Sequence, residues 1–174
     1  DELLENGNFN SDEFFPWQAE FSAFLDPTSI FAFNAAKLYG PFTSGETQTR
    51  LSQDFPVVGG KSYVASVKAV TPSWDSISGT SNTTKLVLQF FTADGTMVRN
   101  AENDVVTGST GDDTVVERST FAVAPDFAVT GRVMLVFDQP FFETGAVWFD
   151  DASVLEVQQV LQAEDAMWDG PCLL

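Results

Sequence analysis

The sequence predicts an all-β protein, an antiparallel β-sandwich of jelly-roll type followed by a short C-terminal tail. Three observations predict it. Runs of five to ten residues alternate apolar and polar side chains, the pattern of half-buried antiparallel strands. Turn-forming residues punctuate these runs at short intervals, and almost no helical period occurs before residue 157.

Two end segments, Leu3 to Asn10 and Val147 to Val154, read as the first and last strands of one sandwich. Both carry oxygen-bearing side chains that suit a hard cation such as calcium. Between them, Tyr63, Ala65, Val67 and Ala69 share one face of a strand, with Ser62, Ser66 and Lys68 on the other. Leu86, Leu88 and Phe90 repeat the alternation, as do Val115, Phe121 and Val123, and then Val133, Leu135 and Phe137.

Turns are expected at Val58-Gly59-Gly60-Lys61, Ala93-Asp94-Gly95-Thr96, Ala124-Pro125-Asp126 and Thr130-Gly131. Asp-Gly between apolar runs is a strong hairpin signal because both central positions favour positive φ. It predicts a hairpin joining Leu86–Phe91 to Met97–Val98. Two long loops are expected, Thr71 to Thr84 around Trp74 and Asp75, and Asn100 to Thr114 around Glu102, Asp104, Asp112 and Asp113.

The sandwich occupies residues 1–157 and the tail residues 158–174. Val157, Val160, Leu161 and Trp168 fall at spacings compatible with a short amphipathic helix ended by Asp169-Gly170-Pro171. The tail either caps the core or contacts a neighbouring subunit.

Size and composition agree with one domain: 174 residues, 44% apolar, 17 of them Phe. No apolar run approaches the roughly 18 residues needed to span a bilayer, so no membrane insertion is expected. Net charge is −17, from 25 acids against 8 bases. Such a polyanion repels nucleic acid and anionic lipid, and either binds cations or uses its charge for solubility.

The single cysteine, Cys172, allows no internal disulfide, and a spectator thiol or a bond between chains remains open. A chain starting at Asp1 reads as a mature secreted protein, found outside the cell or on its surface.

With no His, neither a Ser-His-Asp nor a Cys-His arrangement can form, and the usual zinc sites are excluded. Phosphate-binding glycine loops are also missing. No enzyme is expected. The remaining catalytic alternative is a glycosidase using two carboxylates, although no spacing singles out a pair.

The landmarks Leu4-Glu5-Asn6-Gly7-Asn8-Phe9, Ala36-Lys37-Leu38-Tyr39-Gly40, Gln53-Asp54-Phe55-Pro56-Val57, Gly60-Lys61-Ser62-Tyr63, Ala124-Pro125 and Trp148-Phe149-Asp150-Asp151 follow one another in the chain. In that order they resemble the carbohydrate-binding modules of families 4, 16 and 22, secreted galactose-binding-like jelly rolls. The resemblance spans about residues 3 to 156. It implies a structural calcium held by Asn8, Asn10, the Lys37 carbonyl and Asp151. Asn10 stands where the family often has an acid, which weakens such a site unless Asp150 or Asp12 compensates. The other reading of Asp150 and Asp151 is that they satisfy turn backbone.

The resemblance also implies glycan binding by aromatic platforms, with Trp17, Trp74 and Tyr39 as platforms and Gln53, Asp75 and Asn82 as hydroxyl partners. The crowd of Phe14, Phe15, Trp17, Phe21 and Phe24 reads more readily as core or interface than as a sugar platform.

Two functions follow, a calcium-stabilised module that binds a polysaccharide or glycan, and a subunit that assembles with copies of itself into a filament, sheath or surface layer. For the second, the contact candidates are Phe14, Phe15, Val160, Leu161 and Trp168.

Overall fold

A computed structural model describes residues 1–27, 30, 31 and 33–158. Val160, Leu161, Trp168 and Cys172 lie outside the described residues.

The described residues form ten strands in two five-stranded antiparallel sheets. The strands are β1 (Gln18–Glu20), β2 (Ala23–Asp26), β3 (Ala35–Tyr39), β4 (Gln48–Pro56), β5 (Ser62–Val70), β6 (Thr83–Phe91), β7 (Met97–Thr107), β8 (Val116–Val123), β9 (Thr130–Asp138) and β10 (Ala146–Val157). One sheet has the order β1-β4-β9-β6-β7 and the other β2-β3-β10-β5-β8. Every named pairing is antiparallel.

Alternation carries through to the core. Tyr63, Ala65, Val67 and Ala69 of β5 point between the sheets, as do Leu86, Leu88 and Phe90 of β6 and Val133, Leu135 and Phe137 of β9. Their burial is the main stabilising contribution, at about 25 cal/mol for each Å² of apolar surface removed from water.

Four local expectations change. Strand β8 is read one residue out of register: Thr120 and Ala122 are buried, whereas Val115 and Phe121 are 49% and 57% exposed. A slip of one residue reverses every side chain. Thr130-Gly131 opens β9 rather than making a turn. Gly131 is needed there because a Cβ would come within 2.4 Å of the Phe55 ring.

The expected loop from Asn100 is strand as far as Thr107. Its polar residues lie on an edge strand, which is largely solvated and so lacks alternation. The expected first strand is reduced to a bridge from Glu2 to Leu155 and a hydrogen bond from Leu3 N to Val154 O (3.0 Å).

The two end segments meet. Ala152 N donates to Gly7 O (2.8 Å), and a Cβ on Gly7 would lie 1.9 Å from Ala152 O. A bulge between Asp150 and Ser153 permits this approach, with Asp151 in left-handed backbone at φ 49°. It also resets the alternation: Val147 and Phe149 face the core before it, Ala152 and Val154 after it.

Candidate functional site

The outer face of the β2-β3-β10-β5-β8 sheet carries a row set by register. Phe24 and Trp148 both pair with Lys37 from either side, and Trp148 pairs in turn with Val70. Two residues along, Tyr39 pairs with Ala146. Trp148, Ala35, Val70 and Ala146 form a small buried cluster, separate from the main core, against which Tyr39 packs.

The β5–β6 connection folds over this row. A single 3-10 turn at Ser73–Asp75 sets Trp74 edge-on to Trp148, with centroids 5.0 Å apart and rings at 65°. Trp74 nevertheless remains 65% exposed. The Trp148 indole N–H donates to Asp26 Oδ2 (3.1 Å), so its polar edge is satisfied.

Lys37 Nζ lies 4.6 Å from the Trp148 centroid and 5.7 Å from that of Tyr39, both within cation–π range. It also pairs with Asp75 Oδ2 at 3.2 Å. Phe24 stacks on Tyr39 (5.8 Å, 18°), and Phe42 meets Phe142 at 6.3 Å. A shallow depression of about 280 Å³ opens here, lined by Lys37, Tyr39, Phe42, Asp75, Thr144 and Gly145.

Hydrogen-bonded polar groups hold its walls. Thr71 Oγ1 donates to Ala146 O (2.9 Å) and accepts from Ile77 N (3.0 Å). Ser76 and Ser78 hydroxyls donate to Asp112, which keeps its carboxyl below the usual range. Gly145 has φ 107°, and a Cβ there would lie 2.3 Å from Ser76 O, so only glycine allows the two loops to meet.

Of the six residues expected to bind glycan, the structure puts Tyr39 and Asp75 in the lining of this depression and leaves Trp74 exposed beside Asp75, edge-on to Trp148. The other three lie inside the protein, which corrects the expectation for them. Trp17 is 5% exposed, packs on Phe9 (5.3 Å), and donates its indole N–H to the Glu5 and Asn6 carbonyls (both 3.1 Å). Gln53 brackets the backbone of Glu5, accepting from its N and donating to its O (both 2.8 Å). Asn82 is fully buried and donates Nδ2 to Thr144 O (3.0 Å), so it braces the depression from beneath.

Phe42, Phe142 and the side chain of Lys37 are the residues that sequence reasoning missed here. Lys37 and Tyr39 stand two apart in one strand, and that spacing already puts them on a common face. Nothing local marks the two phenylalanines, which arrive on separate loops. Among the contact candidates, Phe14 is half-buried against Phe9 (6.2 Å) and Phe15 is 77% exposed.

The expected cation ligands divide. Asn8 and Asp151 line one depression together with Glu2 and Gly7. Asn10 lies alongside, its N donating to Asn8 Oδ1 (3.3 Å). Lys37 sits mid-strand in β3 between β2 and β10, with its ammonium at the aromatic row. Asp151 pairs with Lys68 at 2.8 Å.

Asp150 is 9% exposed, and burial pushes its carboxyl up to about 6, against the opposing hydrogen bond from Asp151 N. A carboxyl in that condition is one that a nearby cation would favour in its charged form. Among the described residues, no three His, Cys, Asp or Glu side chains are grouped so as to hold a metal.

No protein-family model matches the chain, and no curated protein matches it. Solved structures do. A family 16 carbohydrate-binding module superposes with TM-score 0.63 at 15% identity, covering 88% of this chain and 99% of that one. TmCBM61 in complex with β-1,4-galactotriose gives 0.60 at 14%, covering 90% and 99%.

Enzymes share the architecture. A cyclase from Fischerella sp. TAU gives 0.60 at 12%, covering 90% and 97%. The enzymatically active domain of bacteriophage CBA120 tailspike protein 4 gives 0.65 at 12%, and this chain spans only 21% of it. At these identities the likeness concerns fold alone. The protein folds as a carbohydrate-binding-module-like β-sandwich.

Proposed function

We propose that this protein is a non-catalytic, extracellular glycan-binding module, with its site at the depression between β3, the Trp74 turn and the 139–145 loop. The observation that carries the reading is the convergence of Tyr39 and Phe42 around the Lys37–Asp75 pair, with exposed Trp74 next to Asp75 in the chain. Apolar ring faces suit the C–H faces of a pyranose, and a carboxylate beside an ammonium suits its hydroxyls. The superposed carbohydrate-binding modules support the same class of ligand. Affinity electrophoresis against a panel of polysaccharides tests it. Retardation that is lost in W74A and Y39A supports the site, and no retardation on any polysaccharide overturns it.

Calcium is the second part of the proposal. Asn8 and Asp151 supply neutral and charged oxygens to one depression, and Asp150, adjacent in the chain, is a carboxyl whose ionisation burial disfavours. Calcium supplies positive charge there and would join the first residues of the chain to the bulge of β10. Thermal unfolding with calcium and with a chelator tests this, and a melting temperature that does not move overturns it.

One observation favours assembly as a second reading. Phe15, Phe33, Phe127, Phe141 and Phe142 are 65% to 77% exposed, large apolar side chains that contact between copies would remove from water. Sedimentation decides between them, since a monomer at all concentrations excludes assembly through these side chains.

A further inference from the structure

We propose that Asp75 sets the charge selectivity of this depression: by neutralising Lys37 it denies acidic glycans their cation, and its removal opens the site to uronate-bearing chains. The inference rests on the glycan-binding reading above and deepens it.

Lys37 is the one cation among the residues lining the depression. Its ammonium lies 3.2 Å from Asp75 Oδ2 and over the faces of Trp148 and Tyr39, and the two side chains are only 24% and 31% exposed. The pair presents no net charge to a ligand. An ionised carboxylate has about four lone-pair sites, so pairing with Lys37 leaves Asp75 capacity to accept from sugar hydroxyls. A uronate would instead meet a carboxylate whose like charge disfavours it.

The charge of −17 adds a general repulsion of polyanions, but charges beyond a Debye length of about 8 Å are screened at physiological salt. The local pair therefore decides. Without Asp75, a partly buried ammonium framed by two aromatic rings is left unpaired. That is a site for an anion with an apolar body, which describes a uronic acid ring.

The test compares wild type, D75N, the double variant K37Q/D75N and D126N by affinity electrophoresis on galactan, xylan and polygalacturonate. Asp126 contacts Gly59 before the start of β5, at the opposite pole of the sandwich, so D126N controls for net charge alone. The quantity read is the ratio of polygalacturonate affinity to neutral-glycan affinity. Wild type should favour a neutral chain, and D75N should raise the ratio at least tenfold in a salt-sensitive manner. The double variant should return the ratio to the wild-type range, and D126N should leave it there.

An unchanged ratio in D75N, with neutral glycan still bound, overturns the proposal, as does a wild-type preference for polygalacturonate. Failure of wild type to bind these chains or any other polysaccharide of the panel overturns the glycan-binding reading itself and the selectivity with it.

Discussion

Ser73 N donates to Asp113 Oδ1 at 2.9 Å, a bond between residues 40 apart that ties the Trp74 turn to the β7–β8 loop. Asp113 N returns a bond to Thr71 O at the same distance, from left-handed backbone at φ 56°. The exposed indole of Trp74 is thus positioned by a neighbouring loop as well as by its own sequence.

D113A removes the side-chain half of this clamp. A lost hydrogen bond of about 1 kcal/mol predicts a weakening of glycan affinity of roughly fivefold, with little change in melting temperature. Calorimetric titration of glycan, beside thermal unfolding, checks both. A large loss of stability would show that the clamp holds the fold rather than the site.

Two tryptophans should respond in opposite ways. W74A, at an exposed platform, should cost about 2 kcal/mol of glycan binding, the range of an interface hot spot, and little stability. W17A removes a core side chain that packs on Phe9 and should cost about 3–5 kcal/mol of stability. Denaturant unfolding paired with binding separates the two.

Asp150 gives a pH dependence with a definite sign. Its carboxyl is raised to about 6 in the folded protein, above the unfolded value of about 3.9, so the native state holds its proton more tightly. Its contribution is most favourable below pH about 4 and is lost as pH rises towards 6, by an amount on the order of 3 kcal/mol. D150N should therefore gain on wild type as pH rises through this window and hold that advantage at pH 7. Saturating calcium should shrink it. Denaturant unfolding of both proteins across pH 4 to 8 measures the difference directly.

Gly7 makes the closest approach at the junction of the chain's start with β10. G7A places a methyl 1.9 Å from Ala152 O, which must move. Overpacking of this kind costs about 1–3 kcal/mol, read as a fall in the denaturant midpoint. Any stabilisation by calcium should fall with it.

The sandwich was legible in the chain because burial on one side of a strand imposes alternation, and β5, β6 and β9 keep it with few exceptions. Strands β7 and β8 were harder to read. Both lie at sheet edges, where solvated side chains leave alternation weak, so β7 passed for a loop and Phe121 for a core residue.

In the site, Trp74 and Asp75 stood out together in a long polar loop, and Tyr39 stood out by its motif. Trp17 and Gln53 carried the same chemical types but were placed inside, since an indole N–H or an amide can as readily satisfy a buried carbonyl as a sugar hydroxyl.

Residue order alone determined fold class, hairpin position, polyanionic character and the lack of imidazole chemistry, because each depends on composition or on neighbours in the chain. Tertiary structure alone decided which aromatic rings face solvent and that Lys37 meets Asp75 above Trp148. It also decided that the first residues meet the bulge of β10. Those are contacts between residues far apart in sequence, set by strand register and loop closure, and no local pattern encodes them.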